Sequence, residues 1–351
     1  MPSEPGNALE LAIRRVAGGG SLSAAETGAA FDVIMRGDAS PPQIAALLVA
    51  LRVKGETPDE VAGGAQAMRR AMVRLATERP DELVDTCGTG GGRLVTFNIS
   101  TAAALLVAGA GVRVAKHGNR SHTSACGSAD VLETLGVRID VPVERMNEML
   151  RQAGIVFMFA PHMHPAMRHV GPIRRELAIP TVMNILGPLA NPAGAGRQVI
   201  GAVDPGRQAL LARALIALGT VHALVVHGEP GMDEISPLGI TRVIEVRDGS
   251  LREWMLDPAT YGLATRDAEE LAGGSREANA RMVTDVLSNG GPRGARAAVV
   301  LNAAAAFYVS GRAPTVEAGV ELAREGLAAS WGLEALERLR QAASAPGDDG
   351  A

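Results

Sequence analysis

Residues 84–101 read VDTCGTGGGRLVTFNIST, and residues 114–136 read VAKHGNRSHTSACGSADVLETLG. Each begins as a short β-branched strand, breaks at a glycine-rich turn and resumes as a helix. In the first turn Gly88, Gly90, Gly91 and Gly92 reach backbone conformations that let N–H groups approach an anion. Asn98-Ile99-Ser100-Thr101 then leads into the Ala-rich run AAALLVAGAG, with Ser100 or Thr101 expected as the cap. The free N–H groups and positive dipole end of that helix favour phosphate. Taken alone, the turn also fits an ordinary βα connection. No GK[ST] follows it and GxGxxG does not fit, so ATP and NAD are not the favoured ligands. In the second turn Lys116 and His117 lie at a strand end, where α/β sheets bind ligands. Gly118, Asn119 and Arg120 open a loop rich in hydroxyls (Ser121, Thr123, Ser124), and Ser128 is the expected cap of the next helix. Lysine suits phosphate as a point charge; the alternative is a solvated basic turn.

Outward from these turns, the chain divides by texture. Residues 1–78 show helical periodicity only: 8–17, a helix from Ser23 with Glu26 closing a capping box, PPQIAALLVALRVKGE, and a helix with Thr57 as N-cap, Pro58 first and Glu60 closing the box. Val61, Ala65, Met68 and Met72 recur there at helical spacing. After residue 79 the runs LVDTC, VRVAKHG, VRID, IVFMFA, QVIGAV, HALVVHG and TRVIEV alternate with helices at 101–109, 129–135, 142–152 and 206–218. That alternation predicts an α/β domain with a mainly parallel central sheet covered on both faces. Residues 161–196 hold no strand pattern, and 165–196 are expected to return to the helical domain. The α/β domain is then 79–164 and 197–345, helical again at 276–289, 294–310, 316–329 and 333–343, with a disordered tail at 346–351.

Three further stretches bear chemistry. In HGEPGMDEIS, Asp233 and Glu234 follow an apolar strand, where paired carboxylates suit Mg²⁺ together with phosphate oxygens and waters; alone, such a pair is usually exposed charge. APHMHPAMRHVGPIRREL holds His162, His164 and His169, whose spacing matches no zinc motif, and Arg174, whose guanidinium suits a carboxylate or an ordinary surface ion pair. No GxSxG or HExxH occurs, and Cys87 and Cys126 read as small packing residues. A net charge of −4 argues against a sequence-independent nucleic-acid binder. No apolar run approaches the roughly 20 residues that span a bilayer, and two cysteines give no disulfide framework, so the expected setting is cytoplasmic with no membrane partner.

Together, GTGGG with TFNIST, KHGNR with GSADVLE, HPAMRHVGPIRREL with NILGPLANPA, and the MDE loop resemble the anthranilate phosphoribosyltransferase family of tryptophan biosynthesis, in the family's order and over nearly the whole chain. The resemblance implies the two-domain fold of the class that contains the pyrimidine nucleoside phosphorylases. It also implies a homodimer through the helical domains and transfer of a phosphoribosyl group from 5-phosphoribosyl 1-diphosphate (PRPP) to anthranilate. Carried over by position, Gly88, Gly91, Gly92, Thr96, Asn98, Ile99, Ser100, Thr101, Lys116, His117, Gly118, Asn119, Ser124 and Ser128 would hold PRPP. Ser100, Asp233 and Glu234 would serve Mg²⁺, as two ions, and Gly88, His117, Asn119, His164, Arg174 and Gly187 would meet anthranilate. No covalent nucleophile is implied. The chain departs from the family at Gly92, where aspartate is usual, at Ala178 and Pro180, where glycine and arginine are common, and at Ala125 and Cys126, which replace polar residues. Two alternatives keep the fold: a nucleic-acid-binding relative without transferase activity, and a pyrimidine nucleoside phosphorylase. The acidic balance opposes the first, and the MDE loop favours a diphosphate over the phosphate used by the second.

Overall fold

In the computed structural model of the chain, residues 7–121 and 126–345 are described; Ser124, Ala125 and the 346–351 tail lie outside them. Four helices come first: α1 (Ala8–Ala17), α2 (Ala24–Arg36), α3 (Pro41–Lys54) and α4 (Pro58–Ala71). Their starts are fixed by side chains. Ser23 and Glu26 form a reciprocal capping box at α2, and Thr57 and Glu60 form another at α4. The Glu60 carboxylate is fully buried and also accepts from Lys54 Nζ at 3.0 Å and the Leu22 N–H at 3.0 Å, so one cap ties three connections together. Gly63 lets α4 lie against α2, because a Cβ there would collide with the carbonyl of Ala24. Val61, Ala65 and Met68 are buried as the periodicity predicts, whereas Met72 falls one residue past the helix end.

Seven strands follow: β1 (Val84–Gly88), β2 (Val114–Gly118), β3 (Ile155–Phe159), β4 (Arg197–Gly201), β5 (His222–Gly228), β6 (Thr241–Arg247) and β7 (Ser250–Leu256), in the order β3-β2-β1-β4-β5-β6-β7. β1 to β5 pair in parallel; β6 and β7 run antiparallel and close one edge as a hairpin. Between the strands lie α5 (Ile99–Gly109), α6 (Ser128–Thr134), α7 (Val143–Ala153), α8 (Ala160–Met163), α9 (Gly171–Leu177), α10 (Met183–Leu186) and α11 (Pro205–Ala217). Helices α12 (Arg276–Leu287), α13 (Arg293–Ser310), α14 (Val316–Ala328) and α15 (Trp331–Ser344) complete the chain. The predicted strand VRID is not a strand. Val137, Ile139 and Val141 are buried alternately, but their backbone pairs with no neighbouring strand. Strand β7 was not in the sequence expectation at all.

Two apolar cores flank the sheet. One joins α5, α6, α7 and α12–α15 to one face. The other joins α1–α4, Val170, Ile173, Val182, Met183, Ile185 and Leu186 to the opposite face, through α11 and Ile200, Ala223, Val225, Ile244 and Val246. Phe31, Leu47, Leu48 and Leu51 are fully buried here, each contributing roughly 1.5–3 kcal/mol.

Candidate active site

The C-terminal ends of β1, β2 and β5 bring the glycine-rich turns and the acidic loop together. The N–H of Gly90 donates to Asp233 Oδ2 at 2.9 Å. A Cβ at Gly88 would lie 2.6 Å from the same oxygen, and one at Gly92 would lie 3.0 Å from Asp233 Oδ1. Glycine is therefore used here for close approach of two loops, and Gly90 and Gly91 also sit at φ +70° and +83°. Burial raises the Asp233 carboxyl above its ordinary range. Burial, then the neighbouring Asp233 charge, pushes Glu234 up to about 8, against the opposing effect of Lys116 and the Ser100 N–H.

Two crowded carboxylates of this kind call for a cation. Among the described residues no three His, Cys, Asp or Glu side chains converge. Asp233, Glu234 and the adjoining Ser100 are hard oxygen donors, and one or two carboxylates completed by phosphate oxygens and waters is the donor set that Mg²⁺ takes.

Lys116 is buried. Its Nζ donates to the carbonyl of Thr86 at 2.5 Å and lies 3.4 Å from Ser100 Oγ, at the start of α5. Burial lowers its pKa, opposed by the negative charge of Asp85. The expected caps are corrected by the backbone. Helix α5 starts at Ile99 with Asn98 as its cap residue, and neither Ser100 nor Thr101 is the cap. Asn98 instead donates to the carbonyl of Cys126 at 3.3 Å and accepts from Asn279 at 2.9 Å. Thr101 is buried with its hydroxyl unpartnered. Thr96 pairs in an isolated bridge with Ala272.

At α6 the cap is Gly127, and Ser128 is the first helical residue, its hydroxyl donating to the carbonyl of Asn119 at 3.4 Å and pressing on Gly118. Asp130 organises this loop. It accepts from the N–H groups of Gly127 and Ser121 at 2.8 and 3.1 Å, and it pairs with Arg120 and Arg276 at 3.1 and 2.8 Å. Cys126 is buried and its thiol is pushed up to about 11, while burial raises Cys87 well above the usual thiol value. Both behave as packing residues, not thiolates.

A cavity of about 430 Å³ opens beside β2, lined among others by His117, Asn119, His164, Arg174 and Gly187, with Met68 and Met183 supplying apolar wall. Gly88 is not among its lining residues; it belongs to the acidic-loop side. The His117 and His164 rings are 4.9 Å apart. Burial, then the neighbouring His164, brings the His117 pKa down to about 3, and burial brings His164 down to about 4, so both rings are neutral at physiological pH. Their Nε2 atoms are buried without partners. Arg174 is half-buried on α9, burial lowers its pKa, and no described carboxylate pairs with it. The guanidinium is thus placed for a carboxylate from outside the chain.

Sequence reasoning missed Asp85 and Asn191. Both are buried, and they are bonded to one another at 2.8 Å beneath Lys116 and His117. The strand LVDTC offered one signal, since Asp85 falls within a buried strand where a carboxylate needs partners.

Comparison with known proteins agrees with this geometry. The α/β domain model of a glycosyl transferase family matches residues 80–330, and its helical bundle domain model matches residues 11–72. An anthranilate phosphoribosyltransferase of Rubrobacter xylanophilus is 51% identical over 94% of this chain and 96% of its own length. The crystal structure of the Thermus thermophilus anthranilate phosphoribosyltransferase superposes with a TM-score of 0.89 at 44% identity, covering 95% of this chain and 99% of that one. The Saccharomyces cerevisiae enzyme in complex with PRPP and Mg superposes with a TM-score of 0.86 at 28% identity, covering 96% and 98%. A second structure of the yeast enzyme holds 4-fluoroanthranilate, with a TM-score of 0.85 at 27% identity, covering 96% and 97%. The chain belongs to the anthranilate phosphoribosyltransferase family.

Proposed function

We propose that the chain joins PRPP to anthranilate, giving N-(5-phosphoribosyl)anthranilate and pyrophosphate, with the two substrates on either side of β2. The observation that carries this reading is Arg174, a half-buried cation without a carboxylate partner, on the wall of a cavity whose two histidines are neutral. A planar aromatic carboxylate answers that charge and fits that apolar wall. The paired carboxylates Asp233 and Glu234, with intact Lys116, favour a diphosphate co-substrate over the nucleoside phosphorylase alternative.

In the reaction, the anthranilate nitrogen lone pair attacks C1 of the ribose and the bond from C1 to the diphosphate oxygen breaks. The nitrogen then sheds a proton. Negative charge grows on the departing diphosphate, where Lys116 and the N–H groups of the first turn and α5 stabilise it. Mg²⁺, when bound, neutralises part of that charge. Since the amine is already nucleophilic, the protein aligns the reactants and keeps water from the activated sugar. Gly88, Gly91, Gly92, Thr96, Asn98, Ile99, Ser100, Thr101, Lys116, His117, Gly118, Asn119, Ser124 and Ser128 are assigned to PRPP. Ser100, Asp233 and Glu234 are assigned to two Mg²⁺ ions, and His117, Asn119, His164, Arg174 and Gly187 to anthranilate.

The same proposal covers the assembly. Residues 1–78 with 165–196 form the helical domain, and two copies meet through it. The support is Leu11, 54% exposed on α1, and Val53, 82% exposed on the adjacent α3. A cytoplasmic setting belongs to the proposal as well; among the described residues no helix is long and apolar enough to cross a membrane.

The test is direct. Purified protein with Mg²⁺, PRPP and anthranilate should extinguish anthranilate fluorescence and release pyrophosphate. A protein that consumes neither substrate overturns the reading.

A further inference from the structure

Asp85 and Asn191 touch neither substrate in the mechanism above, yet they join β1, β2 and the crossover that follows α10. Asp85 is fully buried on β1, and Asn191 is 3% exposed in the crossover after α10. Asp85 Oδ1 accepts from the His117 N–H at 3.2 Å, and Asp85 Oδ2 accepts from Asn191 Nδ2 at 2.8 Å. The same amide nitrogen donates to the carbonyl of Ala115 at 2.9 Å, and Asn191 Oδ1 accepts from the Ala193 N–H at 2.9 Å. The pair therefore grips β2 on both sides of Lys116, at Ala115 and at His117. The crossover it holds carries the carbonyls of Gly187 and Ala190, which face His117 and His164 respectively.

We propose that Asp85 and Asn191 are positioning residues, a clamp that holds the acceptor-facing crossover in register with the Lys116 side of β2. It rests on the proposed function and adds to it a pair that acts only through other groups. The chemistry explains the need. The acceptor nitrogen and the ribose carbon must meet in line, and a misplacement of about 1 Å costs roughly 100-fold in rate. Every polar atom of the Asn191 amide is committed to this task, and a shorter side chain cannot reach all of these partners.

Asn191→Ala and the isosteric Asp85→Asn, which sets two amide donors against each other, are assayed beside the unmodified protein. The expected result is a fall in kcat of roughly 10- to 100-fold in each, the usual effect of losing a partner that orients a site residue. KM for PRPP should change little. A purely structural role would lower the melting temperature and leave kcat of the folded fraction unchanged, and that result overturns the clamp. So does an equal loss of PRPP affinity in both variants. Should Asn191→Ala not fold, Asp85→Asn carries the measurement. Absence of product from the unmodified protein overturns the proposed function instead, which separates the two failures.

Discussion

Arg174 is an uncompensated charge in the free protein, and this sets what its removal should do. Arg174→Ala should raise KM for anthranilate by the roughly 2–3 kcal/mol of a charged hydrogen-bonded pair, while leaving the affinity for PRPP in place. Because the guanidinium has no partner to lose, the melting temperature should hold or rise; a marked fall would mean that Arg174 serves the fold. The histidines make a second prediction. His117 and His164 titrate at about 3 and about 4, below the ordinary 6.5. About a unit or more above pH 6.5, neither the folded nor the unfolded chain carries these protons. As the pH falls below 6.5, the unfolded chain takes up protons that the folded protein refuses, so stability drops toward acid. His222, also lowered by burial, adds to the same slope. Urea midpoints at about pH 7.5 and about pH 5 should show the loss, and His164→Gln should reduce it. The site was legible where a residue type is unusual for its place: Lys116 in a strand, Arg174 near an apolar wall, Asp233 and Glu234 beyond a strand end. Asp85 and Asn191 were not, because a buried polar residue shows its purpose only through its partners.

At the scale of elements, helix α9 ends on a strained residue. Ala178 sits at φ +50°, in the left-handed region, where a side chain meets its own backbone. Ala178→Gly should stabilise the protein by roughly 0.5–1 kcal/mol, read as a higher urea midpoint. The strain lies four residues from Arg174, whose carbonyl accepts from the Ala178 N–H at 3.3 Å. Element identity was legible wherever period and caps agreed, as at α2 and α4. Two strands show where pattern fails. VRID alternates as a strand should, but alternation reports which side chains are buried and says nothing of a partner for the backbone. Strand β7 (SLREWML) is an exposed edge whose apolar residues Leu251, Trp254, Met255 and Leu256 do not alternate with polar ones, so it carries no period-2 signal. Its sign was the turn instead: Asp248-Gly249, both at positive φ, is the pattern that joins two antiparallel strands in a tight hairpin.

For the whole molecule, the assembly is open to a simple test. Val53→Glu puts a charge at an exposed apolar position of α3, and if the proposed dimer forms through the helical domain, light scattering should show it giving way to monomer. A dimer of unchanged strength would move the interface elsewhere. One property of the cores reaches further. The core of α1–α4 does not end at the helices; it continues through α11 to Ile200, Val225 and Ile244 on the underside of the sheet. Helix α11 is therefore the layer between the sheet and α1–α4, and one apolar core runs through all three. A chain divided near residue 78 would keep α11 against β5 and β6 but would leave bare to water the face of α11 that packs on α4.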